Sequence, residues 1–290
     1  MQIIEMIKAL REATGASLND SKWAVDNSDG SYEHALSLLK GRLAAHGADL
    51  TLADVIQGAS RSDVFLDIPR EGWGTLRLDV WDLQFMQTHS GGQMSQAQVE
   101  DADSLWELGR RLFNKEAPGP ARDAARALTQ KYPLYIRGHE AMHDISMFMQ
   151  QLDDAVYHRC QLAALSPDFQ RLGELGRTLG MAKRLKESAA VLEALFAKRA
   201  EAPSQEVALA AAFDLTVTLT RLQNGQRLAR VAALVLRESG FITRFAYQHV
   251  LGFLLAGDKE GARTLYNRYA AHVAAEDPMR PQFAQLGQSL

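Results

Sequence analysis

The C-terminal two-thirds of the chain is rich in alanine and leucine and poor in proline. These two residue types make up 59 of the 190 residues from 101 to 290, and the only prolines between residues 134 and 277 are Pro167 and Pro203. Alanine and leucine favour helices, whereas proline ends or kinks them. The sequence therefore predicts a mainly α protein and excludes an all-β fold.

A weak repeat runs through this helical stretch. Small residues recur early in four predicted second helices, at Ala155, Ser188, Ala229 and Ala262, with spacings of 33, 41 and 33 residues. Small side chains let two helices approach closely, and the bulky residues after them fill the space to the next pair. The first helices of these pairs are expected over residues 138–150, 170–184, 206–223 and 241–256.

The segments LGRTLGMAKRLKESAAVLEAL and LGFLLAGDKEGARTLY resemble tetratricopeptide-like helical repeats. The resemblance implies a TPR-like α-solenoid within residues 101–290, whose concave face holds a partner protein. Two alternatives stay open, namely another kind of helix-pair repeat and an irregular helical bundle without a true repeat.

The N-terminal residues 1–46 predict a three-helix bundle. The first helix carries an apolar stripe that includes Ile3 and Ile4, and Gly15 ends it. The Asp29-Gly30 turn precedes the third helix.

Within this bundle, the run LREATGASLNDSK from Leu10 to Lys22 resembles the ubiquitin-associated-type N-terminal module of elongation factor Ts. In that family the module docks on the G domain of elongation factor Tu. The alternative is a structural three-helix module without a docking role. The resemblance implies that the partner-binding loop is formed or supported by Thr14, Gly15, Ala16, Leu18, Asp20 and Lys22.

Residues 47–100 break the helical pattern. They carry 3 basic and 8 acidic side chains. The segments DVFLDI and TLRLDVWDLQFM alternate apolar and polar residues, which is the period of a strand, and PREGWG between them predicts a turn. We expect a small acidic α/β segment here, with a hairpin and a short helix over residues 51–57, between the N-terminal bundle and the helical domain at 101–290.

Charge and cysteine content limit the function and the compartment. The net charge of −3 does not favour nucleic acid or an anionic membrane as the main partner, because phosphate backbones attract dense lysine and arginine. Cys160 is the only cysteine, so no intrachain disulfide can form. The N-terminus lacks the pattern of a signal peptide, and we expect a cytoplasmic protein.

One catalytic motif is present, because HEAMH at residues 139–143 matches H-E-x-x-H. On a helix, His139 and His143 share one face and could bind one zinc ion, while Glu140 polarises a water molecule. The third ligand could come from Asp153, Asp154, His158 or Glu174, none of which has a diagnostic spacing. The competing interpretation is that both histidines are packing residues.

These observations predict a non-catalytic adaptor protein without a cofactor, linked to translation factors by its N-terminal module. Elongation factor Tu and the ribosome are the expected partners. The alternative is a zinc-dependent hydrolase that uses His139, His143 and Glu140. A second alternative is a regulator of nucleotide exchange on a translational GTPase.

Overall fold

The structure of the protein is a computed structural model. The residues that the structure describes are 3–14, 18–28, 30–45, 65–70, 74–79, 83–85, 94–115 and 117–290. The chain divides into two compact units, one formed by residues 1–58 and 219–290 and the other by residues 59–218. The three-part division at residues 46 and 100 stays a prediction.

The described residues form fourteen α-helices and three strands, and the protein is mainly α as predicted. The N-terminal helices are α1 (Ile3–Thr14), α2 (Leu18–Asp26) and α3 (Tyr32–Ala45). The strands are β1 (Phe65–Arg70), β2 (Gly74–Asp79) and β3 (Gln84–Phe85). The remaining helices are α4 (Gln96–Asn114), α5 (Pro118–Lys131), α6 (Ile136–Phe148), α7 (Leu152–Leu165), α8 (Phe169–Met181), α9 (Leu185–Ala197), α10 (Gln205–Arg221), α11 (Gly225–Ser239), α12 (Thr243–Leu255), α13 (Lys259–Ala270) and α14 (Arg280–Gln288).

Helices lie at the predicted positions, and three of the predicted pairs are confirmed by contacts between their members, namely α6 with α7, α8 with α9 and α12 with α13. The first helices α6, α8, α10 and α12 each begin within two residues of the predicted start. Connections of three residues join α6 to α7 and α8 to α9, and such short connections produce helical hairpins. The structure adds an earlier pair, α4 and α5, which the sequence predicts as helical but not as a pair.

The four small residues occupy matching positions in these pairs. Ala155, Ser188 and Ala262 are each the fourth residue of their helix, and Ala229 is the fifth of α11. All four are buried. A close approach between helices is shown at two of them, because Ser188 contacts the backbone of Gly176 and the backbone of Ala229 lies against Gly252.

Ser188 also connects three helices of the 59–218 unit. Its hydroxyl donates to the backbone carbonyl of Gly176 in α8 at 2.7 Å and lies 3.1 Å from the Thr218 hydroxyl in α10. A Cβ added to Gly176 would lie 2.6 Å from Leu192 of α9. The approach of α8 to α9 therefore depends on a residue without a side chain.

In the other unit, the three N-terminal helices pack around their own apolar core, and α3 also packs against α11. Trp23 lies partly buried against this core. Ile3 and Ile4, which the predicted stripe places inside, are instead 62% and 78% exposed. The buried core residues are Met6, Leu10, Ala24, Val25, Ala35 and Leu39.

An antiparallel hairpin occupies the described part of the middle segment. Strands β1 and β2 pair from Phe65 opposite Asp79 to Arg70 opposite Gly74, and β3 pairs with the end of β2. Leu78 is fully buried. The predicted short helix over residues 51–57 lies outside the described residues. Among the helices that the structure does describe, none has the length and apolar character needed to cross a membrane.

Candidate functional site

The histidines of the HEAMH motif lie at the interface between α6 and α7. His139 Nε2 is 3.0 Å from the backbone carbonyl of Pro133, and its Nδ1 is 3.0 Å from Nδ1 of His158. Because a carbonyl can only accept, His139 donates through Nε2 when its ring is neutral. Its Nδ1 then accepts a hydrogen bond from Nδ1–H of His158. Both ring nitrogens of His139 are therefore engaged.

Burial keeps the His158 ring neutral. The pKa of His158 is lowered to about 3, mainly by desolvation, and the neighbouring His139, His143 and Arg126 contribute to the same shift. His158 is only 7% exposed. His158 is therefore neutral at neutral pH.

A second set of hydrogen-bonded side chains extends from His143 towards the surface. His143 Nδ1 lies 2.9 Å from Asp144 Oδ1, and its Nε2 lies 3.2 Å from an amino group of Arg159. A neutral ring that donates to Asp144 through Nδ1 can accept from Arg159 through Nε2. Arg159 in turn donates to Glu174 of α8. Neither imidazole of the motif presents an unengaged nitrogen in this arrangement.

These side chains reach an open cavity of about 680 Å³, which lies between α6, α7, α8 and the segment around residue 201. Two guanidinium groups line it, those of Arg159 and Arg171. Arg171 lies 3.9 Å from Glu140 and 3.7 Å from Asp168, so its ion pairs are long. The cavity has an excess of negative charge, because its lining includes five carboxylates, those of Glu140, Asp144, Asp168, Glu174 and Glu201.

The donor set does not fit a zinc site. A zinc site needs three or four ligands with free lone pairs, and the described residues contain no group of three His, Cys, Asp or Glu side chains that could hold a metal. Glu140 is exposed, and of the four candidate third ligands His158 is bonded to His139 and Glu174 to Arg159. The zinc alternative stays a prediction, and this geometry does not favour it.

Metal analysis tests this alternative directly. We expect protein purified without a chelator to contain fewer than about 0.2 zinc ions per chain, because His139 and His143 already use their nitrogens in hydrogen bonds. The measurement is plasma mass spectrometry of the wild type and of His143→Ala. About one zinc ion per chain, lost in a folded His143→Ala variant, would show that the hydrogen bonds yield to a metal.

The residues of the predicted N-terminal docking loop are only partly described. Thr14 ends α1, Leu18 begins α2 and Asp20 lies in its first turn, whereas Gly15 and Ala16 lie outside the described residues. The sixth residue, Lys22, is exposed on α2. Its ammonium group is therefore available to a partner.

The only cysteine is not part of a reactive site. Cys160 is fully buried in α7 as a free thiol. Burial raises the pKa of this thiol well above its ordinary value. Because the thiolate is the nucleophilic form, Cys160 acts as a packing residue.

Sequence reasoning missed the polar contacts between helices. The His139–His158 bond spans 19 residues, and the Arg159–Glu174 bond spans 15. These contacts join adjacent helices of a repeat, so the predicted helix pairs were the signal that could have located them. The sequence pattern identified His158 and Glu174 only as candidate metal ligands.

Comparisons with known proteins give a limited likeness. No protein-family model matches the sequence, and no curated protein matches it. A structure described as pilF of Pseudomonas aeruginosa is 14% identical, with a TM-score of 0.45 over 67% of this chain and 86% of that chain. A structure of PilW, described as a widely conserved type IV pilus biogenesis factor, is 16% identical, with a TM-score of 0.42 over 68% of this chain and 91% of that one. At TM-scores below 0.5, neither likeness assigns a function to this chain.

Proposed function

We propose that the protein is a non-catalytic adaptor that binds other proteins through its helix pairs. The observation that carries this proposal is the open cavity of about 680 Å³ on α6, α7 and α8. Its arginines are already held by carboxylates, so a partner would meet a preformed surface and binding would cost little ordering entropy. Regular helices also hold such a surface rigidly.

The N-terminal three-helix bundle supplies a second contact in this proposal. Its likeness to the docking module of elongation factor Ts suggests elongation factor Tu as the partner, or another component of the translation machinery. The exposed ammonium of Lys22 supports this role, because an exposed charge can steer a partner and fix its orientation. Such a partner would place the protein in the cytoplasm.

A binding assay with purified elongation factor Tu tests the translation link. We expect the immobilised full chain to bind this factor, and Lys22→Glu to weaken binding about tenfold, since the substitution turns a favourable charge into a repelling one. Lys8→Glu is the matched control, because Lys8 is exposed on α1 and lies outside the motif. Surface plasmon resonance measures both variants.

Two other results would change the proposal. Equal affinities of Lys22→Glu and Lys8→Glu for elongation factor Tu would contradict the partner-binding role assigned to the N-terminal loop. Recovery of no discrete protein by tagged full chain from cells that make it would contradict the adaptor function itself. A fluorescent-GDP release assay on the same proteins separates docking from nucleotide exchange, because an adaptor leaves the release rate unchanged.

A further inference from the structure

A second cavity lies in the unit that contains residues 219–290. It has a volume of about 350 Å³ and is formed by the end of α11, the loop that follows it, α12, and the end of α13 with the residues after it. This volume is near the lower limit for ligand pockets and suits one or two side chains rather than a large cofactor. The cavity is separate from the HEAMH motif, which belongs to the other unit.

Aromatic rings form one side of this cavity. The ring centroid of Phe241 lies 5.9 Å from that of Tyr269 and 5.5 Å from that of His272. Phe241 is 40% exposed although it contacts two other rings. These distances leave an exposed aromatic surface on which a further ring can stack.

A partly buried hydrogen bond holds this aromatic surface in place. Nδ1 of His249 lies 2.8 Å from the hydroxyl of Tyr269, and His249 is only 3% exposed. Burial raises the pKa of Tyr269, so its ring carries a neutral hydroxyl at neutral pH. The tyrosine is therefore fixed before any ligand arrives.

Two arginines supply the charge of this cavity. Arg237 and Arg268 line it together with His272, and no carboxylate does. Within the part of the chain that the structure describes, neither guanidinium forms an ion pair. Both arginines are exposed, so the charge of an incoming anion would complement them at the rim.

We propose that this cavity binds an acidic peptide segment of a partner protein, in which an aromatic side chain is flanked by carboxylates. The aromatic ring stacks on Phe241 and Tyr269, and the carboxylates pair with Arg237 and Arg268. Two arginines are too few to hold a nucleic-acid backbone, and the net charge of the chain is −3. This inference rests on the proposed adaptor function and specifies the chemistry of one partner.

A defined peptide serves as the probe. It is a labelled five-residue peptide with a central phenylalanine and two glutamates on each side, capped at both ends, and its binding to the full chain is followed by fluorescence anisotropy. We expect binding to weaken about tenfold in Arg237→Gln and in Arg268→Gln, and to weaken as salt is raised, because exposed charges are screened. A peptide with alanine in place of phenylalanine should also bind about tenfold more weakly.

Controls on both molecules keep the result interpretable. Arg280→Gln is the matched control, because Arg280 is exposed in the same unit but does not line the cavity. A peptide with lysines in place of the glutamates should not bind. Circular dichroism checks that each variant keeps its helices.

Several results would overturn this proposal. One is equal binding of the glutamate and lysine peptides. Another is an unchanged peptide affinity in both Arg237→Gln and Arg268→Gln. A third is a loss of peptide affinity in Arg280→Gln that is as large as in those two variants. Full displacement of the peptide by inorganic phosphate, without any preference for phenylalanine, would identify a phosphate site instead. If the wild-type chain still captures a partner while the peptide fails to bind, the peptide proposal fails and the adaptor function stands.

Discussion

Replacing Gly252 by alanine is expected to lower the free energy of unfolding by about 3 kcal/mol. A Cβ at this position would lie 2.6 Å from the backbone nitrogen of Ala229 and 2.8 Å from its Cα. These are backbone atoms of α11, so they cannot move aside as the end of a flexible side chain can. The added methyl group must therefore separate α12 from α11. Urea unfolding followed by circular dichroism measures the loss.

Gly173→Ala is the matched control for this prediction. Gly173 is also a buried glycine inside the first helix of a pair, but a Cβ there would meet only one side-chain atom of Leu195, at 3.9 Å. Because alanine favours a helix over glycine, this variant should be unchanged or more stable by up to about 1 kcal/mol. Equal effects of the two substitutions would show that the close approach at Ala229 does not limit stability.

Acidification is expected to weaken the fold through the buried His158. An unfolded histidine titrates near pH 6.5, whereas the pKa of the folded His158 is lowered to about 3. Between these values the unfolded chain binds a proton that the folded chain refuses. Stability is therefore full above about pH 6.5 and falls as the pH decreases towards 3. The loss is on the order of 3 kcal/mol by pH 4.

His158→Asn isolates this contribution. Its amide N–H can still donate to His139, but it does not titrate, so the variant should lose about 3 kcal/mol less than the wild type between pH 7 and pH 4. His34→Gln is the control, because His34 is exposed. Asp101 and Asp277 also have lowered pKa values and weaken the fold in acid, but their effect is common to both proteins and cancels in the comparison. Parallel pH profiles for wild type and His158→Asn would contradict the assignment.

The helix pairs could be predicted from the sequence because their signals are local. Helix formers, the few prolines and the small residues Ala155, Ser188, Ala229 and Ala262 all act within one helix or between neighbouring ones. The same logic failed at the start of the chain, where Ile3 and Ile4 continue an apolar stripe but lie at the surface. The spacing of apolar residues identifies one face of a helix. It does not show over what length of the helix other elements pack against that face.

The candidate sites could be predicted only in part. The spacing of HEAMH correctly places His139 and His143 on one helix, since four residues make about one turn. It could not show that Pro133 and His158 would engage both nitrogens of His139, because those partners depend on how two helices are packed. The cavity at Phe241 brings together residues from three helices, and no short motif marks it.

The hydroxyl of Ser188 has a consequence for how the unit at residues 59–218 loses its structure. Because it bonds to Gly176 on one side and Thr218 on the other, α9 cannot slide along α8 without also releasing α10. Repeat proteins gain cooperativity from such interfaces between neighbours, not from contacts across the whole molecule. A disturbance in one helix pair is thereby passed to the next, and these three helices should open to hydrogen exchange as a single cooperative block.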